Sequence, residues 1–210
     1  MAVIAEDVAE WLKGVAQVSG DAILDEMHAL AKQRGFPIIG PEVGRLVAQL
    51  TTLGGAKRIF ELGSGFGYST LWFARAAGVG AEIFHTDGDP ANTALARDFL
   101  ERAGVAERVR FLTGDAGTHL AATAGPFDIV FCDIDKHQYP DVADLMCERV
   151  RVGGVIVVDN IVWSGRVARG DQSADTQGIR RFIARMWGDA RFLSSLMPVR
   201  DGVSLHVRLA

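Results

Sequence analysis

Hydrophobic positions follow two different periods along this chain, and the change falls near residue 58. Before it, apolar side chains recur at the three- and four-residue spacing of amphipathic helices. After it, short continuous apolar runs alternate with such helical stretches. This order predicts a helical segment over residues 1–50 and a core of strands and helices over residues 58–210.

The N-terminal segment contains signals for three helices. The first has apolar residues at helical spacing, namely Val8, Trp11, Leu12 and Val15. Asp21 is placed to cap a second helix over 22–34, which Gly35 ends. A third helix begins at Gly40-Pro41 and is expected to run to Leu50, because proline is favoured in the first helical turn.

Seven apolar runs in the second part predict strands. The first five lie at 58–61, 82–86, 109–112, 128–132 and 155–158, with helices expected between them at 69–77, 90–103 and 139–149. Such alternation predicts right-handed crossovers and a parallel sheet covered on both faces. The last two runs, 192–197 and 203–207, flank Asp201-Gly202, which is a hairpin signal. We therefore expect one domain over 1–210, an α/β doubly wound seven-stranded sheet that ends in an antiparallel hairpin.

Charge, cysteine spacing and the lack of long apolar stretches disfavour several classes of protein function. The 210 residues carry a formal net charge of −4, which disfavours a nucleic-acid partner because such proteins normally show a basic stripe. The two cysteines, Cys132 and Cys147, form no CxxC pair, so a zinc site is not expected. The sequence lacks a signal peptide and a long apolar span, so we expect a cytoplasmic protein with no membrane partner.

A glycine-rich turn follows the first predicted strand. Gly63, Gly65 and Gly67 allow a sharp turn and close approach of a ligand, and the helix after them offers free N–H groups to an anionic group. A dinucleotide fingerprint would place its third glycine at position 68, where the chain has Tyr68. This spacing disfavours a nicotinamide cofactor. The alternative is a tight strand-to-helix connection that binds nothing.

Acidic residues follow the next two strands. Asp87 is placed to accept hydrogen bonds from both hydroxyls of a ribose, although a helix cap is the alternative and Asp89 suits that role better. Asp115 ends the third strand, where its carboxylate or the N–H of Ala116 could reach an adenine edge. The alternative for Asp115 is a turn aspartate.

Two further acids end the fourth and fifth strands. Asp133 and Asp159 fall at the same sheet edge as the glycine turn, and Asn160 adds a carbonyl oxygen. These donors suit Mg²⁺ first, with Mn²⁺ or Ca²⁺ as alternatives. Lys136 is a candidate general base, because neighbouring positive charges disfavour the cationic form of lysine. The alternatives are acids without a metal, and a salt bridge between Lys136 and Asp135.

Three stretches carry a resemblance to a known family: Glu61-Leu-Gly-Ser-Gly-Phe-Gly-Tyr-Ser69, Asp133-Ile-Asp-Lys-His-Gln-Tyr139 and Asp159-Asn-Ile-Val-Trp-Ser-Gly165. They resemble the class I S-adenosylmethionine (SAM)-dependent O-methyltransferases, in the cation-dependent catechol and caffeoyl-CoA branch. The resemblance implies a Rossmann-like methyltransferase fold. It implies a SAM-binding set of Glu61, Gly63, Ser64, Gly65, Gly67, Tyr68, Ser69, Asp87, Gly88, Asp115, Ala116, Asp133 and Asp135.

The same resemblance implies a divalent cation held by Asp133, Asp159 and Asn160, with Lys136 and Asp133 as catalytic residues. The expected reaction is metal-dependent methyl transfer to a hydroxyl of a small vicinal-dihydroxy aromatic acceptor. Residues 36–40 are expected to help cover cofactor and acceptor, and residues 1–34 to form a homodimer. A nicotinamide-dependent oxidoreductase and a non-catalytic SAM-binding protein are the alternative functions.

Overall fold

The computed structural model describes residues 6–16 and 20–210. Its helices and strands alternate through most of the chain. In order they are α1 (Glu6–Ala16), α2 (Ala22–Arg34), α3 (Gly40–Leu53), β1 (Arg58–Leu62), α4 (Tyr68–Ala77), β2 (Glu82–Asp87), α5 (Pro90–Arg102), β3 (Val109–Thr113), α6 (Ala116–Ala122), β4 (Phe127–Cys132), α7 (Tyr139–Arg149), β5 (Val150–Val158), α8 (Ala174–Trp187), β6 (Phe192–Met197) and β7 (Val203–Arg208).

The strands form one seven-stranded sheet in the order β3-β2-β1-β4-β5-β7-β6. Strands β1 to β5 are parallel, and β7 lies antiparallel between β5 and β6. The doubly wound α/β fold with a C-terminal antiparallel hairpin is therefore confirmed. The order reverses direction at β1, where a doubly wound sheet leaves a crevice at its carboxyl edge.

Helices cover both faces of the sheet because the central strands are apolar on both sides. In β1, Ile59 belongs to an apolar cluster that includes residues of α2, α3, α4 and α5, whereas Phe60 belongs to a second cluster that includes residues of α6, α7 and α8. All residues of the apolar stretch of β4 from Ile129 to Cys132 are buried. This two-sided burial explains why these strands appear in the sequence as continuous apolar runs.

Predicted helix ends agree well with the structure where capping signals are present. The Asp21 carboxylate accepts hydrogen bonds from the backbone N–H groups of Ile23 and Leu24, and Gly35 ends α2 in the left-handed conformation. Asp89, rather than Asp87, caps α5 through a 2.8 Å bond from the N–H of Ala91. The third helix runs three residues beyond the expected Leu50, to Leu53.

Three expectations need correction. The polar, glycine-bearing sequence of the stretch 164–177 predicts a loop, but α8 begins within it at Ala174, with Ser173 as its N-cap. Strand β5 begins at Val150 rather than 155, and it passes through Gly153-Gly154 where its pairing with β4 shifts register. Glycines favour turns in sequence, but here they allow a bulge. Helix α6 was not predicted, since its seven residues are too few to show a helical period.

No helix within residues 6–16 or 20–210 combines the length and apolar character needed to cross a membrane.

Candidate active site

A cavity of about 1030 Å³ opens at the carboxyl edge of the parallel strands. Ligand cavities commonly measure about 300–1,000 Å³, so this one has room for a nucleoside-sized cofactor and a second small molecule. Most of the residues singled out in the sequence line it: Gly63, Ser64, Gly65, Tyr68, Ser69, Asp87, Gly88, Asp115, Ala116, Asp133, Asp135, Lys136, Asp159 and Asn160. Two of them, Glu61 and Gly67, do not.

The glycine turn is held in shape by the neighbouring strand. Ser64 donates its backbone N–H to the carbonyl of Thr86 at 2.8 Å, and the Ser64 hydroxyl accepts from the N–H of Thr86 at 3.1 Å. Gly63 has a φ of +81°, and a methyl group there would lie 2.5 Å from the carbonyl oxygen of Asp133. Only glycine suits that position, because the left-handed backbone and the close approach both exclude a side chain.

Two ionisable side chains are buried behind this turn. Glu61 is 0% exposed, and neither of its carboxylate oxygens has a hydrogen-bond partner within the described structure. Burial raises the pKa of Glu61 to about 7. His85 Nε2 lies 3.1 Å from the Gly65 carbonyl, to which it donates, and burial lowers the pKa of His85 to about 4. A neutral His85 would donate to that carbonyl and support the turn from below.

The acids after β2 and β3 take different roles. Asp87 lies at the cavity wall, where its Oδ1 accepts from the N–H of Asp89 and from Asn92. Gly88 beside it is exposed. Asp115 is the N-cap of α6, and its Oδ1 is engaged by the N–H and hydroxyl of Thr118 at 2.7 and 2.6 Å. This capping role, which was not predicted from the sequence, occupies one oxygen of the Asp115 carboxylate.

The acids after β4 and β5 lie together at the same edge. Asp133 donates its N–H to the Leu62 carbonyl, and Asp159 donates its N–H to the Cys132 carbonyl. Asp159 is 4% exposed, and its Oδ1 is buried without a partner in the described structure. Burial raises the pKa of Asp159 to about 7, and the negative charge of Asp133 adds to this shift. Asn160, which follows with a left-handed φ of 55°, completes the set.

Lys136 lies between these acids and the far wall of the cavity. Its Nζ donates to Asp133 Oδ1 at 2.8 Å and to the Ile134 carbonyl at 3.1 Å. The ion pair thus involves Asp133 and not Asp135, which corrects the alternative drawn from the sequence. The same Nζ lies 5.6 Å from the ring centroid of Trp163, so an aromatic surface faces the lysine.

No cluster of three or more His, Cys, Asp or Glu side chains suited to a metal ion occurs in the part of the chain that the structure describes. The predicted set of Asp133, Asp159 and Asn160 has two such side chains and an amide, and it stays a prediction.

Other cavity residues come from distant parts of the sequence. The segment 36–39, between α2 and α3, forms one wall, as the resemblance implied. The turn before β7 contributes Arg200 and Asp201, which sequence reasoning assigned only to a hairpin. The hydrophobic pattern could not predict their place in the cavity, because the sequence of a hairpin turn does not indicate which distant segments the turn contacts.

Comparison with known proteins gives the family. The chain matches the model of the O-methyltransferase family over residues 16–209. It belongs to that family. The O-methyltransferase is 34% identical over 216 residues to catechol O-methyltransferase of Niastella koreensis, with 97% of each chain covered. It is 35% identical over 149 residues to catechol O-methyltransferase of Mycobacterium tuberculosis, with 70% of this chain and 68% of that one covered.

Solved structures of O-methyltransferases have the same fold. TomG from Streptomyces achromogenes, solved in complex with SAM, is 27% identical with a TM-score of 0.87 and covers 99% of this chain and 100% of its own. The Bacillus cereus O-methyltransferase, in complex with SAH, is 28% identical with a TM-score of 0.85, covering 96% and 97%. This chain is therefore a SAM-dependent O-methyltransferase, which leaves no support for the nicotinamide-dependent alternative.

Proposed function

We propose that this O-methyltransferase transfers the SAM methyl group to one hydroxyl of a small vicinal-dihydroxy aromatic acceptor, with a divalent cation at Asp133, Asp159 and Asn160. The observation that carries the proposal is the buried, unpartnered Oδ1 of Asp159 beside a second carboxylate. Asp133 is half-buried and paired with Lys136, whereas the buried Asp159 beside it has no cationic partner in the described structure, and neighbouring carboxylates repel each other unless a proton or a cation neutralises them. The names of the two catechol O-methyltransferase relatives support the acceptor class.

The donor set fits a hard cation. Carboxylate and amide oxygens are the ligands that Mg²⁺, Mn²⁺ and Ca²⁺ prefer, and the absence of a histidine or cysteine from this set disfavours zinc. A cation bound there supplies positive charge that favours the ionised form of a chelated hydroxyl and orients its oxygen. Tyr139 supports the site from beneath, since its buried hydroxyl donates to the Asp159 carbonyl at 2.9 Å.

The protein's own residues account for the remaining steps. The acceptor oxygen attacks the SAM methyl group in line, the C–S bond breaks with its electron pair going to sulfur, and S-adenosylhomocysteine leaves. Lys136 takes the hydroxyl proton as general base, which requires that its ammonium first lose a proton. Asp133 holds the Lys136 Nζ at 2.8 Å and so fixes its direction.

The cofactor is proposed to lie along the edge formed by β1, β2 and β3. The turn 63–67 and Ser69 would hold its methionine part, Asp87 the ribose, and Ala116 the adenine. Asp115 fits the adenine role less directly, because Thr118 already occupies one of its oxygens. Most of the rate acceleration would come from holding nucleophile and methyl group in line.

The experiment that tests the proposal measures S-adenosylhomocysteine formation from SAM with a panel of vicinal dihydroxy-aromatics. Each acceptor is assayed with Mg²⁺ and with EDTA, and monohydroxy analogues serve as matched controls. Turnover that needs both neighbouring hydroxyls and stops in EDTA is the expected result. Equal turnover in EDTA would refute the role of the cation. SAM binding without turnover of any acceptor would favour the non-catalytic alternative.

We also propose a homodimer; the family resemblance implied one through residues 1–34, and α1 is the part of that segment that we propose forms the contact. The helix leaves Val8, Trp11, Leu12 and Val15 between 42% and 66% exposed, which is unusual for apolar residues at helical spacing. A second copy of the same helix would cover them. Light scattering after size exclusion should report a dimer for the wild type and a monomer for Trp11→Glu. A wild-type monomer at micromolar concentration would refute this proposal.

A further inference from the structure

The turn between β6 and β7 connects the two walls of the cavity. Asp201 accepts a hydrogen bond at 2.5 Å from the N–H of Ser164, and its carbonyl accepts one at 2.9 Å from Val162. Both partners lie in the segment that follows Asn160. Arg200, one residue earlier, contacts the opposite wall through a 2.7 Å bond from Nη1 to the carbonyl of Ile38.

Arg200 has a backbone conformation that arginine rarely adopts. Its φ is +49°, in the left-handed region that favours glycine. Such a conformation is unfavourable by about 1 kcal/mol or more for a residue with a Cβ, so the surrounding structure must impose it. A strained residue that lines a ligand cavity suggests a function for its side chain.

The Arg200 side chain lies directly against Gly40. A methyl group added at Gly40 would overlap the Arg200 guanidinium, and the carboxylate of Glu42 would be 3.0 Å from that methyl. Even so, no carboxylate of the described residues forms an ion pair with Arg200. Only one hydrogen bond from its guanidinium to the described protein is present. The remaining N–H groups have no protein acceptor there and are available to a ligand.

Three of the acidic side chains at this end of the cavity already have partners. Asp133 is paired with Lys136, Asp175 accepts from the N–H of His137, and Asp201 accepts from Ser164. Arg200 lines the same cavity as Asp133 and Asp159. It therefore lies beside the proposed acceptor position as a positive charge that forms no close ion pair with a carboxylate of the described residues.

From this arrangement we infer that Arg200 binds a carboxylate on the acceptor, so that the enzyme selects dihydroxy-aromatic acids over neutral dihydroxy-aromatics. The inference rests on the proposed function. With its diol at Asp159 and Asn160, an acceptor would direct its ring substituent along the cavity toward the turn at 198–202. A guanidinium matches a carboxylate in geometry, since two parallel N–H groups can bind the two oxygens.

The test compares dihydrocaffeate with its methyl ester, since the saturated linker keeps the electronic properties of the two rings similar. Wild type, Arg200→Gln and Arg200→Lys are measured for kcat/KM in Mg²⁺. The wild type is expected to prefer the acid by about tenfold, as one charge-assisted hydrogen-bond pair would provide. Arg200→Gln should lose that preference with little change for the ester, and Arg200→Lys should keep part of it.

Lys32→Gln is the matched control, because Lys32 also lines the cavity but belongs to α2. It should leave the preference for the acid unchanged. If Lys32→Gln lost the preference for the acid to the same extent, the preference would come from the overall positive charge of the cavity and not from Arg200. If Arg200→Gln weakened acid and ester equally, the role of Arg200 would be structural, through Ile38, and the inference would be wrong. A wild type without preference for the acid would also overturn it.

A binding measurement separates this inference from the proposed function. Calorimetric titration of both compounds into the protein saturated with S-adenosylhomocysteine and Mg²⁺ reports affinity without turnover. If no diol were methylated, the proposed reaction would fail. The acid-over-ester ratio of dissociation constants in wild type and Arg200→Gln would still decide whether Arg200 recognises carboxylates.

Discussion

Gly178 in α8 lies directly against the backbone carbonyl of Lys136, and a methyl group added at Gly178 would overlap that oxygen. The two residues are more than forty positions apart in sequence. One turn earlier in α8, Asp175 accepts the N–H of His137 at 3.1 Å. The first turns of α8 therefore support the short helical turn Lys136–Gln138 from outside, and with it the proposed general base.

Gly178→Ala should displace Lys136. Because the opposing atom is backbone and cannot rotate away, the segment around Lys136 must shift, which overpacking measurements place at about 1–3 kcal/mol of stability. We expect kcat to fall while the dissociation constant of SAM changes little. Urea unfolding and steady-state kinetics measure both effects.

The control for this prediction is Gly14→Ala in α1, where an added methyl group meets no atom of the described residues within 4 Å. It should be neutral or slightly stabilising, because alanine favours helix more than glycine does. A Gly178→Ala variant as active and stable as the Gly14→Ala variant would show that α8 does not position Lys136.

Asp159→Asn should stabilise the protein in EDTA by about 1–2 kcal/mol. The change removes the negative charge of a buried carboxylate whose Oδ1 has no partner in the described structure and which Asp133 repels, while keeping the shape of the side chain. In Mg²⁺ the wild type should be more stable than Asp159→Asn, because the metal would raise the melting temperature of the wild type alone. Thermal unfolding with and without Mg²⁺ measures this. An equal response of both proteins to Mg²⁺ would contradict the proposed ligand.

Lys136→Met should lower kcat by about 10²-fold or more, the usual effect of removing a general base. SAM affinity should be nearly unchanged, since the Lys136 Nζ bonds to Asp133 and Ile134 rather than to the glycine turn. Single-turnover rates at several pH values give the measurement, with Lys32→Met as the matched cavity lysine. A wild-type rate in Lys136→Met would remove this residue from the mechanism.

His206 should make folding stability fall in mild acid. It is 0% exposed, and burial lowers its pKa from 6.5 to about 4. Between these values the unfolded chain binds a proton that the folded protein excludes, so His206 destabilises the fold as pH falls from 6.5 to 4. The full effect is on the order of 3 kcal/mol. The difference in unfolding free energy between wild type and His206→Gln should change by that amount between pH 6.5 and pH 4. If the two proteins lost stability equally as the pH fell, the prediction would be contradicted.

The sequence was most informative where burial is two-sided. Strands β1 and β4 are apolar on both faces, so their positions follow from continuous apolar runs, and the rule for parallel sheets then places Asp133 and Asp159 at one edge. Strand β5 was predicted too short because Gly153-Gly154 suggests a turn, whereas pairing with β4 accommodates the bulge. Tertiary pairing outweighed local preference there.

The side chains at the acceptor end were less predictable. Arg200 is placed by its own left-handed backbone and by a bond to Ile38, which is 162 residues away in sequence. Neither property leaves a local pattern. The engagement of Asp115 by Thr118 could have been anticipated as an N-cap, but only if α6 had been recognised as a helix.

The turn at 198–202 contacts both walls of the cavity. Donor binding and acceptor choice would therefore depend on different parts of the sequence. Methyl-donor binding is proposed to depend on the loops after β1, β2 and β3, whereas acceptor choice would depend on one hairpin tip near the end of the chain. If the inference holds, substitutions at that tip would alter which molecules are methylated while leaving the loops after β1, β2 and β3 unchanged. An enzyme arranged in this way would acquire new acceptors through few mutations. A mutant library aimed at acceptor choice would need to vary only the residues of this turn.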